Sequence, residues 1–178
     1  MNHTLVALVE DKPGVLTRVA SLFRRRAFNI ESLTVGHTDQ TGVSRMTVVV
    51  NSSETDAERV TSNLHKLINV IEVTDLAEAP SVVRDLALIK VTASPASRSE
   101  IMQLVDVYRA RIVDVGNDSL IVEITGDEDK IDSFVDVLRP FGILEMVRTG
   151  IVAMARGTSL IPGSNGNGNS NGNGNGVH

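Results

Sequence analysis

The sequence predicts an α+β protein: two tandem ferredoxin-like βαββαβ domains, each a four-stranded antiparallel sheet with two helices on one face. Three observations predict it. Short apolar runs and stretches of helical spacing follow one another in the order β-α-β-β-α-β. That order returns about 80 residues later without close sequence identity. A Pro-containing stretch of mixed polarity, "AEAPSVVRD" (77–85), separates the two passes and reads as a linker. The expected units are therefore 1–76, a linker 77–85, a second unit 86–158 and a tail 159–178.

In the first pass, "HTLVALVE" is apolar and bounded by charge, a strand over roughly 3–10. "KPG" at 12–14 punctuates a turn. Leu16, Val19, Ala20, Phe23 and Ala27 then recur at helical spacing, with Thr17, Arg18, Ser21, Arg24 and Arg25 on the opposite side. "NIESLTVGHT" and "VSRMTVVV" flank the turn "DQTG" as a hairpin. "SSETDAERVTSNLHKLI" opens on Ser and acidic residues, a helix start, and places Ala57, Val60, Leu64 and Leu67 on one face. "VIEVTDL" (70–76) closes the unit as a strand.

The second pass repeats this. "LALIKVTA" is a strand, and a helix over 98–109 aligns Ile101, Leu104, Val105 and Tyr108. "ARIVDVG" and "SLIVEITG" flank Asn117-Asp118 as a hairpin. A helix over 127–138 aligns Ile131, Phe134, Val135 and Leu138, and "GILEMVRTGIVAMAR" closes the unit. The runs "LVALV" (5–9) and "VVV" (48–50) are apolar on both strand faces, a pattern of strands buried on both sides. A sheet with helices on one face leaves its other face bare, so another domain or another chain is expected to cover it, and an oligomer is expected.

Composition narrows the function. Hydrophobic residues make up 42% of the chain and aromatic ones only 3%, so the core is aliphatic and base-stacking platforms are scarce. With a net charge of −5, nucleic acid and anionic membrane are disfavoured as partners. There is no cysteine, which removes disulfides, thiolate metal sites and cysteine nucleophiles and fits a cytoplasmic location. No apolar run approaches the ~18 residues of a membrane span, and no signal peptide is expected at the N-terminus. "GSNGNGNSNGNGNGVH" (163–178) is almost entirely Asn, Gly and Ser and is expected to be a solvated, disordered tail.

Chemistry is scarce too. His3, His37, His65 and His178 fall on different elements without metal-ligand spacing, so no metal is expected. Ser32, Thr34 and Ser44 lack a nearby base and orienter, so no catalytic residue is assigned. Arg24 to Arg26 end the first helix, where cations suit the dipole; docking on a partner or an anion is the alternative. "GDEDKID" (126–132) is an acidic helix start without the spacing of a calcium loop.

What remains is one corner. The first strand ends near Glu10-Asp11, and Gly14 sits at the strand-to-helix turn before Val15 and Leu16. The first amides of a helix lack internal partners and carry the positive end of its dipole, which suits a small carboxylate. Gly14 leaves close approach open, Asp11 suits an ammonium, and Asn29, expected at the same end of the sheet, both donates and accepts. These groups suit a free amino acid; they also suit ordinary turn and capping chemistry.

"DKPGVLTRVASLFRRRAFNIESLTVG" resembles the start of an ACT domain, an amino-acid-sensing module. "FNIESLTVGHTDQTGVSRMTVVV", with "LHKLINVIEVTDL" after it and "ALIKV", "RARIVDV" and "RTGIVAMARG" in the second half, resembles the small regulatory subunit of acetolactate synthase (acetohydroxyacid synthase) over about residues 3–158. The resemblance implies a subunit with no catalytic activity of its own. It would activate a large catalytic subunit and confer feedback inhibition by valine, in branched-chain amino-acid biosynthesis. Thiamine diphosphate, Mg2+ and FAD would belong to that partner, with no cofactor in this chain. It further implies a homodimer through the ACT domain, with the effector between two chains. Gly14, Val15 and Leu16 would hold the effector carboxylate through backbone N–H groups, and Asn29 and Ile30 would come from the facing protomer. Asp11 would lie beside the amine, and Val15, Leu16, Ile30 and Val35 would supply the apolar lining. The alternative is a stand-alone ACT-type amino-acid sensor acting on another enzyme.

Overall fold

β1 (Asn2–Glu10) is the inner strand on which the first half is built. Its neighbours are β3 (Val43–Asn51) on one side and β4 (Val70–Asp75) on the other, both antiparallel; β2 (Ile30–His37) pairs with β3 and forms the edge. The order β2-β3-β1-β4 is that of a split βαβ unit. The computed structural model describes residues 2–51, 54–77 and 79–157; the Asn/Gly-rich tail and the Ser52-Ser53 start expected for the second helix lie outside the described residues.

Strand alternation sorts β1 between two cores. Leu5, Ala7 and Val9 face α1 (Val15–Arg25) and α2 (Glu54–His65), and pack with Val19, Phe23, Met46, Val48, Val60 and Leu64. Val6 and Leu8 point the other way and are buried as well, beneath Leu76, Ala153, Val83 and Ala155. Each such Val or Leu side chain contributes about 1.5–3 kcal/mol on burial. The doubly apolar run is thus covered on its second face by the same chain. The oligomer expected from a bare face of this sheet therefore loses that particular support.

The cover is a feature that the sequence pattern did not resolve. β5 (Ser81–Thr92) begins inside the stretch read as a linker, and "GILEMVRTGIVAMAR" is two strands, β8 (Ile143–Arg148) and β9 (Val152–Ala155), not one. Ser81–Arg84 pairs with β9, and this ribbon lies over Val6 and Leu8. Farther along, the same strand β5 is central to the second sheet, between β7 (Ser119–Gly126) and β8, with β6 (Arg111–Val115) at the edge. The second sheet is accordingly five-stranded, β6-β7-β5-β8 with β9 also on β5, and not four-stranded.

α3 (Arg98–Val107) and α4 (Glu128–Leu138) cover the second sheet. Ile101, Val105, Ile131, Phe134, Val135 and Leu138 are buried against Ala87, Ile89, Val91, Leu120, Val122 and Ile124, as their spacing requires. Asp127 caps α4 by accepting the Lys130 amide at 3.0 Å, and Gly142 turns the chain into β8 with φ +96° after a short 3-10 turn, Arg139–Phe141. α1 departs from expectation in detail. Its buried face is Val15, Val19, Leu22 and Phe23, while Leu16 and Ala20 are exposed and the helix stops before Ala27. The apolar arc of α1 is therefore wider than its own core uses.

Candidate functional site

The strand-to-helix corner of the first half is built by backbone. The Asp11 amide donates to the Gly42 carbonyl at 2.8 Å, tying the corner to the β2–β3 turn. Glu10 accepts from Lys12 Nζ at 2.6 Å and from Asn69 Nδ2 at 3.0 Å. The Lys12 bond, then the Asn69 bond, hold its carboxyl below the usual carboxylate range. Gly14 is the N-cap of α1 with φ +84°, in the left-handed region that glycine adopts without penalty. A Cβ there would meet nothing within 4 Å, so the requirement for glycine in this chain is conformational, not steric. Gly14 has no side chain with which to cap the helix: the Val15 amide donates to the Lys12 carbonyl at 3.4 Å, and no side chain caps the tip.

The sequence-predicted residues divide into two groups. Asp11, Gly14, Val15 and Leu16 lie at the end of the sheet where Glu10 faces Val43 and His37 faces Ser44. Asn29 and Ile30 lie at the opposite end, where Ile30 faces Val50 and His3 faces Val50 from the other side. The expectation that Asn29 returns to the same end of the sheet is therefore corrected: a helix of 11 residues runs back along the sheet and delivers the chain to its far end. There Asn29 lines a cleft of about 390 Å³ with Arg26, Phe28, Asn51, Arg59 and Asn63.

The apolar residues also divide. Val15 is 5% exposed and belongs to the core, so its side chain is not available to line an outer pocket, whereas Leu16 is 48% and Val35 46% exposed. Val35 pairs with Met46, which places it on the helix side of β2 at the Gly14 end. Leu16 and Val35 thus flank an uncapped helix tip beside a strand that has no strand neighbour on its outer side among the described residues. Asp11 lies beside His37, Oδ2 to Nδ1 3.4 Å.

The other candidates resolve into structural roles. His3 meets Asp75 at 2.9 Å and His65 meets Glu72 at 3.8 Å; His178 lies outside the described residues. Among the described residues no group of three or more His, Asp or Glu is placed to hold a metal ion, and no helix is long and apolar enough to cross a membrane. Ser32 and Thr34 contact the turn between β8 and β9: Ser32 Oγ accepts the Ile151 amide at 2.9 Å, and Thr34 Oγ1 donates to the Thr149 carbonyl at 3.4 Å. Sequence reasoning missed that turn. The signal for it was Gly150, which interrupts an otherwise continuous strand-like run.

Comparison with known proteins places the chain. A family model described as the AHAS small subunit-like ACT domain matches residues 5–72, and one described as the small subunit of acetolactate synthase matches residues 84–157. A probable acetolactate synthase small subunit from Archaeoglobus fulgidus is 56% identical over 157 residues, 88% of this chain and 98% of that protein. The acetolactate synthase small subunit of Mycobacterium leprae is 54% identical over 87% of this chain and 92% of its own length. The crystal structure of the acetolactate synthase small subunit from Thermotoga maritima superposes with a TM-score of 0.83 at 40% identity, covering 89% of this chain and 99% of that one. Two tandem units, the first starting α1 at a bare glycine tip, and relatives matched along nearly their whole length agree: the chain belongs to the family of acetolactate synthase small subunits, the regulatory partners of that enzyme's catalytic chains.

Proposed function

We propose that this subunit activates the large, thiamine-diphosphate-dependent subunit of acetolactate synthase and subjects it to feedback inhibition by valine bound at the Gly14 corner. The observation that carries this reading is the coincidence of an uncapped helix tip, the exposed Leu16 and Val35, and an edge strand on one end of the first sheet. The amides after Gly14 suit the carboxylate, Leu16 and Val35 suit an isopropyl group, and Asp11 suits the ammonium.

Dimerisation completes the site. Two β2 edges meeting antiparallel about a two-fold axis continue the sheet and set the start of one strand beside the end of the other. Because Asn29 and Gly14 lie at opposite ends of one sheet, that pairing carries the second protomer's Asn29 and Ile30 to the first protomer's Gly14 corner. The separation of the two groups within one chain then becomes the reason that the site needs two. Thiamine diphosphate, Mg2+ and FAD belong to the catalytic chain in this reading, the complex works in the cytoplasm, and valine acts by favouring a less active arrangement of it.

The test is inhibition of the reconstituted complex. Gly14→Val forces a β-branched residue to φ +84°, and Asn29→Leu removes an amide. Each is expected to raise the valine concentration for half-inhibition by about 10-fold or more, the equivalent of one hydrogen bond to a charged group. Activation without valine is expected to stay within about 2-fold. Both variants inhibited like the wild type would place the effector elsewhere.

A further inference from the structure

The turn Arg148–Ile151 joins the two halves in a way that the effector corner alone does not require. On the second-half side it is fixed by charge. Arg148 donates through Nε to Asp85 Oδ2 at 2.7 Å and through Nη1 to Asp132 Oδ1 on α4 at 2.8 Å. Asp85 is buried and also accepts from Thr149 Oγ1 at 3.1 Å, and the Thr149 amide donates to the Leu86 carbonyl at 3.0 Å. On the first-half side the turn is fixed by shape. Gly150 has φ +85°, and a Cβ there would lie 2.7 Å from Ser32 Oγ and 3.0 Å from Thr34 Oγ1. Ser32 cannot rotate away without losing the Ile151 amide that it accepts at 2.9 Å. Beyond the turn, the Ala153 carbonyl accepts from Arg45 Nη2 at 2.6 Å, so β3 is gripped as well.

We infer that this turn is the latch by which the second half senses the position of the effector edge: Gly150 seated on Ser32 and Thr34 transmits displacement of β2 through Arg148 to α4 and Asp132. The inference rests on the proposed effector site, because β2 follows directly on Asn29 and carries Ile30 at one end and Val35 near the other, with Ser32 and Thr34 between them on its opposite face. Any ligand or partner strand that shifts β2 must move the turn or break its two hydrogen bonds. Because the guanidinium of Arg148 bridges β5 and α4, the turn cannot follow β2 without carrying them. Gly150 and Ser32 are positioning residues: neither belongs to the effector corner.

The experiment uses the full chain, alone and reconstituted with the large subunit. Gly150→Ala adds a Cβ against β2, and Ser32→Ala removes the hydrogen bond without adding bulk. In calorimetry both variants are expected to bind valine within about 3-fold of wild type, while half-inhibition of the complex shifts by about 10-fold for Gly150→Ala and less for Ser32→Ala. Hydrogen exchange on the ligand-free chain supplies a second readout. Both variants should speed exchange in β2 and in α4, on the two sides of the latch. Wild-type inhibition in both variants, binding and inhibition falling together, or exchange changes confined to 148–152 would each overturn the latch. Failure of the wild type to bind valine would sink the effector reading, and the exchange experiment would still decide the latch.

Discussion

The two halves share a plan and finish the same corner differently. In the first, β1 reaches α1 through a glycine that has no side chain to cap the helix. In the second, β5 reaches α3 through Ser94–Ser97, and that corner closes on itself. The Ser94 carbonyl accepts the Ser97 and Arg98 amides at 3.1 and 2.9 Å, and its hydroxyl lies 3.2 Å from the Ser97 amide. Arg98 then folds its guanidinium back over the corner, donating through Nη2 to the carbonyls of Ala93, Gly116 and Asn117 at 3.3, 2.8 and 2.8 Å. A repeated scaffold can thus leave one corner uncapped, as the proposed effector site requires, and close its counterpart on itself. The outer faces differ in the same spirit. That of the first sheet is covered by the β5–β9 ribbon, whereas that of the second exposes Leu88 and Val147 around the Lys90–Glu145 pair.

The comparison breaks most visibly in the cores. Phe23 on α1 meets Phe28 edge-on at 6.4 Å, and Phe134 on α4 meets Tyr108 at 4.9 Å; both phenylalanines are fully buried. Phe23→Ala and Phe134→Ala should each cost about 3–5 kcal/mol, a large share of a domain's total. The ribbon buries Val6 and Leu8 of one half under Val83 and Ala153 of the other, so urea unfolding should show a single shifted transition for either variant. A biphasic curve for Phe134→Ala would mean that the halves are independent despite the shared cluster. The next effect is smaller. Arg98→Ala should destabilise by about 1–3 kcal/mol, since three carbonyls lose a charged donor. An unchanged urea midpoint would show that the second corner does not depend on its closing residue.

The legible parts of the sequence were those in which one periodicity governs an element. α4 buries the four positions its spacing singled out and α2 buries Ala57, Val60 and Leu64, with Leu67 past its end and half-buried, because each packs a single face on a single sheet. The doubly apolar run of β1 correctly announced two cores. The rest was hidden where one element serves two purposes. α1 looked centred on Leu16 and Ala20, but its core face is Val15, Val19, Leu22 and Phe23, and periodicity alone cannot separate core from outward-facing apolar surface. β5 starts inside an apparent linker, because its first four residues pair only with β9, far away in sequence. The candidate corner was legible at Gly14, whose role is local. The end of the sheet to which Asn29 belongs was not, because it depends on the direction in which a helix returns. The contact of Gly150 with Ser32 is tertiary throughout, and only the turn itself left a mark in the sequence.

The smallest effect lies where the two halves agree. Each ends its first helix on a non-glycine residue in the left-handed region, Ala27 at φ 55° and Arg109 at φ 53°. The hydrogen bonds are the same in both. Phe28 N reaches the Phe23 carbonyl at 3.1 Å and Ala110 N reaches the Val105 carbonyl at 2.8 Å, the six-to-one closure of a helix end that glycine usually supplies. A Cβ in this conformation costs about 1 kcal/mol, offset in part by the greater freedom that glycine has in the unfolded chain. Ala27→Gly and Arg109→Gly should therefore each raise stability by a few tenths to about 1 kcal/mol, read as a higher urea midpoint at unchanged slope. Equal gains would show that the two helix ends are mechanically equivalent. Ala27 stands two residues before Asn29, so a gain in stability accompanied by weaker valine inhibition at Ala27→Gly alone would mean that the first half keeps its strained turn to aim Asn29 across the proposed dimer.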